Sequence, residues 1–123
     1  MAIFHHIIQP LITITHSSNT HTVDLDAAGN NYSITATNAA NTITFSNLDA
    51  TRVGKAGTIV ITNPSSVGSL SFQPLAATCY TPGSSEISYN TSANAVAVLS
   101  YFVSASNKIL INYVGAFGSY PQP

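Results

Sequence analysis

Hydrophobic and β-branched residues alternate with polar residues over most of the chain, a period of two that is typical of β-strands. In residues 31–37, for example, Tyr32 and Ile34 alternate with serine and threonine. A strand of this kind places its apolar side chains on one face, and a slip of one residue would reverse them all. The alternation predicts strands over residues 20–26, 31–37, 42–46, 57–62, 69–73, 95–104 and 108–114.

The segments between these strands are rich in Gly, Asn, Ser and Pro, which favour turns. Residues 105–107 are short enough to connect the last two strands as a hairpin. Residues 48–55 are predicted to form a short helix or loop, with Asp49 as its N-cap. Strands that recur about every 8 to 12 residues are typical of a sandwich or barrel. The sequence therefore predicts a single all-β domain, an antiparallel β-sandwich or jelly-roll-like fold over residues 19–117.

Residues 1–18 form an apolar segment that is interrupted by Pro10. One interpretation is an ordinary first strand. We favour an extended N-terminal arm that adds to the sheet edge of a partner chain, because proline fits poorly inside a central strand. The arm residues expected to bind the partner are Ile3, Phe4, Ile7, Ile8, Leu11 and Ile12. The polar, proline-containing tail of residues 118–123 is expected to be flexible.

The chain of 123 residues carries unusually little charge: Asp, Glu, Lys and Arg make up 6% of it, and the formal net charge is −1. An ordinary soluble domain has about 25%. Without a basic surface, the chain is predicted not to bind nucleic acid. Ser, Thr and Asn supply the polarity without the self-repulsion that keeps monomers apart, which favours an assembly. No apolar run approaches the ~18 residues of a membrane span, and no secretory signal is evident, so we expect synthesis in a bacterial cytoplasm.

The chain offers few residues for catalysis. Asp24 and Asp26 share a strand face, but two acids beside a turn are more typical of a solvated strand end than of a catalytic pair. Cys79 is the only cysteine, which excludes an intrachain disulfide and favours a small buried side chain. No Gly-x-Ser-x-Gly elbow and no phosphate-binding loop is present. The sequence therefore predicts no enzyme activity, no catalytic residue and no cofactor.

Histidines are the remaining candidates for metal ligands, at His5, His6, His16 and His21. Adjacent residues of a strand point to opposite faces, so His5 and His6 do not readily share one metal. No nearby carboxylate or cysteine supports His16 and His21. No metal site is predicted within one chain, although a threefold oligomer would bring three copies of one histidine together on its axis.

Six tyrosines combine a large apolar ring with a polar tip. Tyr101 and Tyr113 lie within predicted strands and are expected to pack in the core. Tyr80, Tyr89 and Tyr120 lie near loops or in the tail, and are candidates for an interface or a sugar-binding surface.

The order of features from residue 23 to residue 117 resembles a β-domain of tailed-phage tail fibres, head fibres and capsid-associated proteins. The resemblance is carried by TITFSN at residues 42–47, GTIVITN at 57–63, NAVAVLSYF at 94–102 and KILINY at 108–113. The chain departs from that pattern at residues 71–83, where such domains often carry a Trp-Pro stretch and a Gly-Gly-Thr-Ala-Pro loop. The family's motifs are strand patterns and specify no functional residues.

The resemblance implies a structural role in a virion. A short arm and one β-domain fit a capsid decoration (cement) protein, often a homotrimer, that binds the major capsid protein or another virion protein and stabilises the assembled shell. The alternative is a short tail-fibre, head-fibre or spike tip that binds a host-surface glycan. Location in the virion, at the capsid surface, is expected for the first of these functions.

Overall fold

The computed structural model describes residues 10–118 and 120–121. They form an all-β domain, as the alternation predicted, with two single-turn 3-10 helices at Ala50–Arg52 and Pro82–Ser84. Within this part of the chain, no helix is long and apolar enough to cross a membrane. The strands are β1 (Leu11–Thr13), β2 (Thr20–Asp24), β3 (Asn31–Thr35), β4 (Ala40–Ser46), β5 (Ala56–Thr62), β6 (Ser71–Phe72), β7 (Cys79–Tyr80), β8 (Val96–Ala105) and β9 (Lys108–Phe117).

The first six strands alternate between two sheets. β1, β3 and β5 lie side by side in one sheet, and β2, β4 and β6 lie side by side in the other. Each of the first four strands pairs in parallel with the strand one circuit later along the chain. The chain therefore winds through three stacked coils, over residues 11–24, 31–46 and 56–72, which is the arrangement of a short β-solenoid.

The last strands close the larger sheet, whose order is β1-β3-β5-β8-β9-β7. β8 pairs antiparallel with β5, and the hairpin of β8 and β9 follows, with Asn107 in the left-handed region at its turn. The short strand β7 covers the far edge of β9 in parallel. The predicted hairpin at residues 105–107 is confirmed.

The predicted antiparallel sandwich or jelly roll is wrong in its strand pairing. Five of the seven strand pairs between described residues are parallel, and only the two that involve β8 are antiparallel. Period-two alternation determines which side chains face the core, whereas the direction of a neighbouring strand depends on where each turn leads the chain. Here the turns lead into the other sheet instead of folding the chain back on the strand it has just left.

One core lies inside the coils and joins the inward residues of both sheets. Strand register aligns Ile12, Tyr32, Ile59, Leu99 and Tyr113 in one row across five neighbouring strands. Full burial of a large aliphatic or aromatic side chain stabilises a fold by about 1.5 to 3 kcal/mol. Because each row crosses consecutive coils, every coil covers the apolar side chains of the coil before it.

Residues 48–55 contain the turn that the sequence predicted. Asp49 is the N-cap of the helix Ala50–Arg52, and its carboxylate accepts a hydrogen bond from the Thr51 backbone N–H at 2.9 Å. The neighbouring Lys55 reaches back across the coils, and its ammonium donates to the carbonyls of Leu25 at 2.9 Å and Ala27 at 3.0 Å. The turn after the second coil is therefore tied to the turn after the first.

The two ends of the chain are described only in part. Leu11–Thr13, from the predicted arm, form a strand of the domain's own larger sheet, with Ile12 packed against the core and Leu11 56% exposed. The arm residues Ile3, Phe4, Ile7 and Ile8 lie outside the described residues. In the tail, Gly118, Tyr120 and Pro121 are described, and none of them belongs to a strand.

Gly57 is required by the close stacking of two coils. A Cβ atom at this position would lie 1.9 Å from the carbonyl oxygen of Asn30, which already accepts a hydrogen bond from the Tyr101 hydroxyl at 2.6 Å. We therefore expect Gly57→Ala to lower the free energy of unfolding by at least about 2 kcal/mol, because backbone has to move. Chemical denaturation measures this change.

Gly68→Ala is the matched control, since a Cβ atom at Gly68 meets nothing within 4 Å. We expect its effect to stay within about 0.5 kcal/mol. Equal effects of the two substitutions would contradict the close approach of the coils at Asn30.

Candidate functional site

A buried polar cluster connects the three coils on the inside. Asn41 is fully buried, and its side-chain oxygen accepts hydrogen bonds from the His21 ring at 2.8 Å and from the Thr37 N–H at 2.9 Å. Its amide nitrogen donates to the carbonyls of Thr37 and Ala39, both at 2.9 Å, and lies 3.2 Å from that of Ser71. Buried amides need such partners, so this cluster fixes the stacking of the coils.

His21 is the least solvated titratable side chain of the cluster. Its ring is fully buried, and its Nδ1 atom has no hydrogen-bond partner among the described residues. Burial lowers the pKa of His21 from its ordinary value of 6.5, and the nearby His16 ring, 5.3 Å away between centroids, lowers it further. The hydrogen bond with Asn41 acts in the opposite direction. His21 is therefore a neutral core residue near pH 7.

The histidines do not converge with acids or with the thiol. Among residues 10–118 and 120–121, no group of three His, Cys, Asp or Glu side chains is placed to hold a metal ion. His5 and His6 lie outside that part of the chain. Cys79 is half-buried, and burial raises the pKa of its thiol, which disfavours the reactive thiolate.

The two acids on β2 and the turn after it are engaged in local structure. Asp24 accepts hydrogen bonds from the Asp26 backbone N–H at 2.9 Å and from the Asn47 amide at 2.6 Å. Asp26 forms an ion pair with Arg52. These contacts hold the turns after the first and second coils together. The geometry of the two acids agrees with the interpretation of a solvated strand end.

Tyr89 packs beside a small cavity. Its ring stacks on Phe72 with 4.4 Å between centroids and meets the edge of Tyr113 at 5.9 Å. The cavity, about 230 Å³, is also lined by Leu75 and Ile87. Burial raises the pKa of Tyr89 to about 12, so its hydroxyl stays protonated. Of the three candidate interface tyrosines, Tyr89 thus contributes mainly to packing.

Tyr80, by contrast, lies at the surface, where a groove of about 370 Å³ runs over the outer face of the β8–β9 hairpin. We call it the outer groove and define it by residues from β7, β8 and β9 and the loop after β7. Its defining residues are Tyr80, Thr81, Ser100, Phe102, Leu110 and Asn112. The third candidate, Tyr120, is exposed in the tail and does not line this groove.

Sequence reasoning missed Phe102 and Leu110. The two residues face each other across the hairpin and remain 45% and 42% exposed. The sequence did contain a signal for them, because each is a large apolar residue between polar residues at alternate positions of its strand. Residues 95–104 are mostly apolar, however, and their valines make the outward-facing positions hard to distinguish from the inward-facing ones.

A second distinctive surface lies at the first coil, which we call the open coil edge and define by β1 and β2. Each of these strands is the outermost of its sheet. Among the described residues, no strand pairs with the outer side of either one; Ser17 alone bridges to Thr20 across a tight turn. The outer backbone groups of Leu11, Thr13 and Thr22 are therefore available for pairing.

Comparison with protein-family models, with curated proteins and with solved structures finds no match to this chain. What the chain does must therefore be inferred from its own residues, above all from the outer groove and the open coil edge.

The neutral state of His21 predicts a loss of stability in acid. The pKa of His21 is lower in the folded than in the unfolded chain, so the unfolded chain binds the proton more readily. Stability is therefore fully present above about pH 6.5 and falls as the pH drops below it, by at most about 1.4 kcal/mol per pH unit. Denaturant titrations at pH 7.5, 6.0 and 5.0 measure this dependence.

His21→Gln is the informative variant, because its amide can still donate to Asn41 but does not titrate. We expect it to flatten the acid dependence, whereas His16→Gln retains most of it. If His21→Gln keeps the full slope of the parent chain, another group is responsible.

Proposed function

We propose that the chain is a non-enzymatic structural protein of a phage virion that decorates the capsid shell and stabilises it. The viral assignment is supported by the resemblance of residues 23–117 to phage β-domains. The mode of binding is supported by one observation, the open coil edge. In this proposal the partner is the major capsid protein or another virion protein, and the edge accepts one of its strands.

The hydrogen-bond direction at β1 supports strand addition. The N–H of Ile14 donates to the Ser33 carbonyl at 2.9 Å, so the backbone of Ile14 faces β3. Successive residues of a strand present their backbone groups to opposite sides. Ile12 therefore also bonds toward β3, whereas the N–H and C=O groups of Leu11 and Thr13 point outward.

The same reasoning applies to β2. The N–H of Leu25 donates to the Ser46 carbonyl at 3.0 Å, so odd-numbered residues of β2 face β4. Even-numbered residues face outward, and of these Thr20 is already bonded to Ser17. Thr22 is left with an outward backbone. Since β1 and β2 are consecutive strands of one coil, both edges are presented at the same end of the solenoid.

The edge also lacks the usual protection against pairing. Natural proteins protect exposed edges with charged residues, bulges or prolines within the strand. Asp24, at the end of β2, is the one Asp, Glu, Lys or Arg in residues 11–24, and Pro10 precedes β1 without blocking its outward amides. Apart from this terminal carboxylate, the edge is polar through threonine, so it can pair with a partner strand at little desolvation cost. Binding through it should depend only weakly on salt.

A decoration protein acts by differential affinity for the assembled shell. If it binds the lattice and not the free subunit, each copy favours the assembled state, and many copies act in parallel. A homotrimer, which the low charge of this surface favours, would multiply the effect by presenting three edges at once. Neither catalysis nor a cofactor is needed for this role.

Thr13→Pro tests the proposed strand addition. Proline removes the outward N–H of Thr13 but leaves the bonds of Ile12 and Ile14 to β3 intact, and proline is tolerated on edge strands. We expect the variant to keep its unfolding midpoint but to bind particles that lack the chain roughly tenfold more weakly or worse. Co-sedimentation with the particles measures the affinity.

Thr13→Val is the control, because it keeps the backbone N–H and the branched side chain. Particles reconstituted with it should retain their genome on heating as long as wild-type particles do, and those with Thr13→Pro should lose it sooner. If Thr13→Pro particles withstand heat normally but fail to adsorb to cells, the chain is a receptor-binding tip and not a decoration protein.

A further inference from the structure

The outer groove combines half-exposed aromatic side chains with polar side chains that form no hydrogen bond to the described residues. Tyr80 and Phe102 are 49% and 45% exposed and border the groove, with Leu110 between them in the register of the sheet. Ser100 and Asn112 pair across β8 and β9 and also line it. The side chains of Ser100 and Asn112 have no hydrogen-bond partner among the described residues.

This combination argues against a purely apolar occupant. A flat apolar surface from a second copy of the chain would cover Ser100 and Asn112 and leave their hydroxyl and amide without partners. A saccharide meets both requirements, because a sugar ring has C–H groups that pack on an aromatic face and a rim of hydroxyls that donate and accept. Asn112 offers two donors and one acceptor, and Ser100 offers one donor and two acceptor lone pairs.

A lysine lies beside the groove, next to one of the rings that border it. The Lys108 ammonium lies 4.7 Å from the centroid of the Tyr80 ring. It forms no ion pair with the described residues, in which the one salt bridge joins Arg52 to Asp26. Lys108 and Asn112 are four positions apart on β9, an even offset, so both point to the outer face. A cation without an acidic partner favours a ligand that carries a carboxylate.

We propose that the outer groove is a binding site for an acidic saccharide. The sugar ring packs on Tyr80 and Phe102, its hydroxyls bond to Asn112 and Ser100, and its carboxylate meets the Lys108 ammonium. A volume of about 370 Å³ is within the range of small-molecule sites and accommodates one or two sugar rings. This site is separate from the open coil edge, so a test of saccharide binding does not depend on whether the chain decorates a capsid.

Calorimetric titration of the full chain with four defined probes tests the proposal. The acidic probes are 3′-sialyllactose and trigalacturonic acid, and their neutral counterparts are lactose and maltotriose. We expect saturable binding of at least one acidic probe, at least fivefold tighter than its neutral counterpart. Lys108→Gln should abolish this preference, and Asn112→Ala should weaken binding of the acidic probe at least fivefold.

Phe102→Ser and Phe117→Ser form a matched pair, because both phenylalanines are about half exposed on the β8–β9 hairpin but only Phe102 lines the groove. We expect Phe102→Ser to weaken binding tenfold or more and Phe117→Ser to leave it unchanged, with circular dichroism confirming that both fold. The proposal is overturned if neither acidic probe binds, or if Phe102→Ser and Asn112→Ala bind the acidic probe as tightly as the parent chain. A change of oligomeric state in Phe102→Ser alone, without sugar binding, would identify a second copy as the occupant.

Discussion

The side-chain amide of Asn41 is the contact on which the stacking of the coils depends. It is buried and bonds to His21 of the first coil, to Thr37 of the second and, at 3.2 Å, to Ser71 of the third. A buried amide that lost these partners would cost more than the bonds contribute, because desolvation would be uncompensated. The amide therefore allows one register of the coils and penalises the others, which rows of similar aliphatic residues cannot do alone.

The parallel stacking has a direct consequence for the surface. A solenoid of parallel coils has an open edge at each end unless something covers it. At the far end the antiparallel pair of β5 and β8, the hairpin and the short strand β7 extend the larger sheet. At the near end the described residues provide only the turn that joins Ser17 to Thr20. At the far end the outermost strands, β6 and β7, have two residues each, so the longer unpaired edges lie at β1 and β2. This difference is why we propose partner binding at β1 and β2 and a separate ligand at the outer face of the hairpin.

The strands and the capped turn at Asp49 could be predicted from the sequence, because alternation and capping are local signals. The direction of pairing could not, since it depends on contacts between residues twenty or more positions apart, such as Leu11 with Asn31. β7 has only two residues and lies in a loop without alternation. The roles of His21 and Asn41 were hidden for a related reason. Alternation places His21 on the face of Val23, but its hydrogen-bond partner Asn41 lies twenty positions away, on the next coil. The outer groove likewise requires three strands to be brought together.

Amide hydrogen–deuterium exchange of the chain, free and bound to particles, tests most directly whether the open coil edge accepts a partner strand. The account predicts that peptides covering residues 11–14 and 20–24 gain protection on binding, because the outward amides of Leu11, Thr13 and Thr22 enter a ladder. Peptides of the outer groove on β8 and β9 should change little. Protection confined to the groove, or none at the first coil, would contradict strand addition as the means by which this chain joins an assembly.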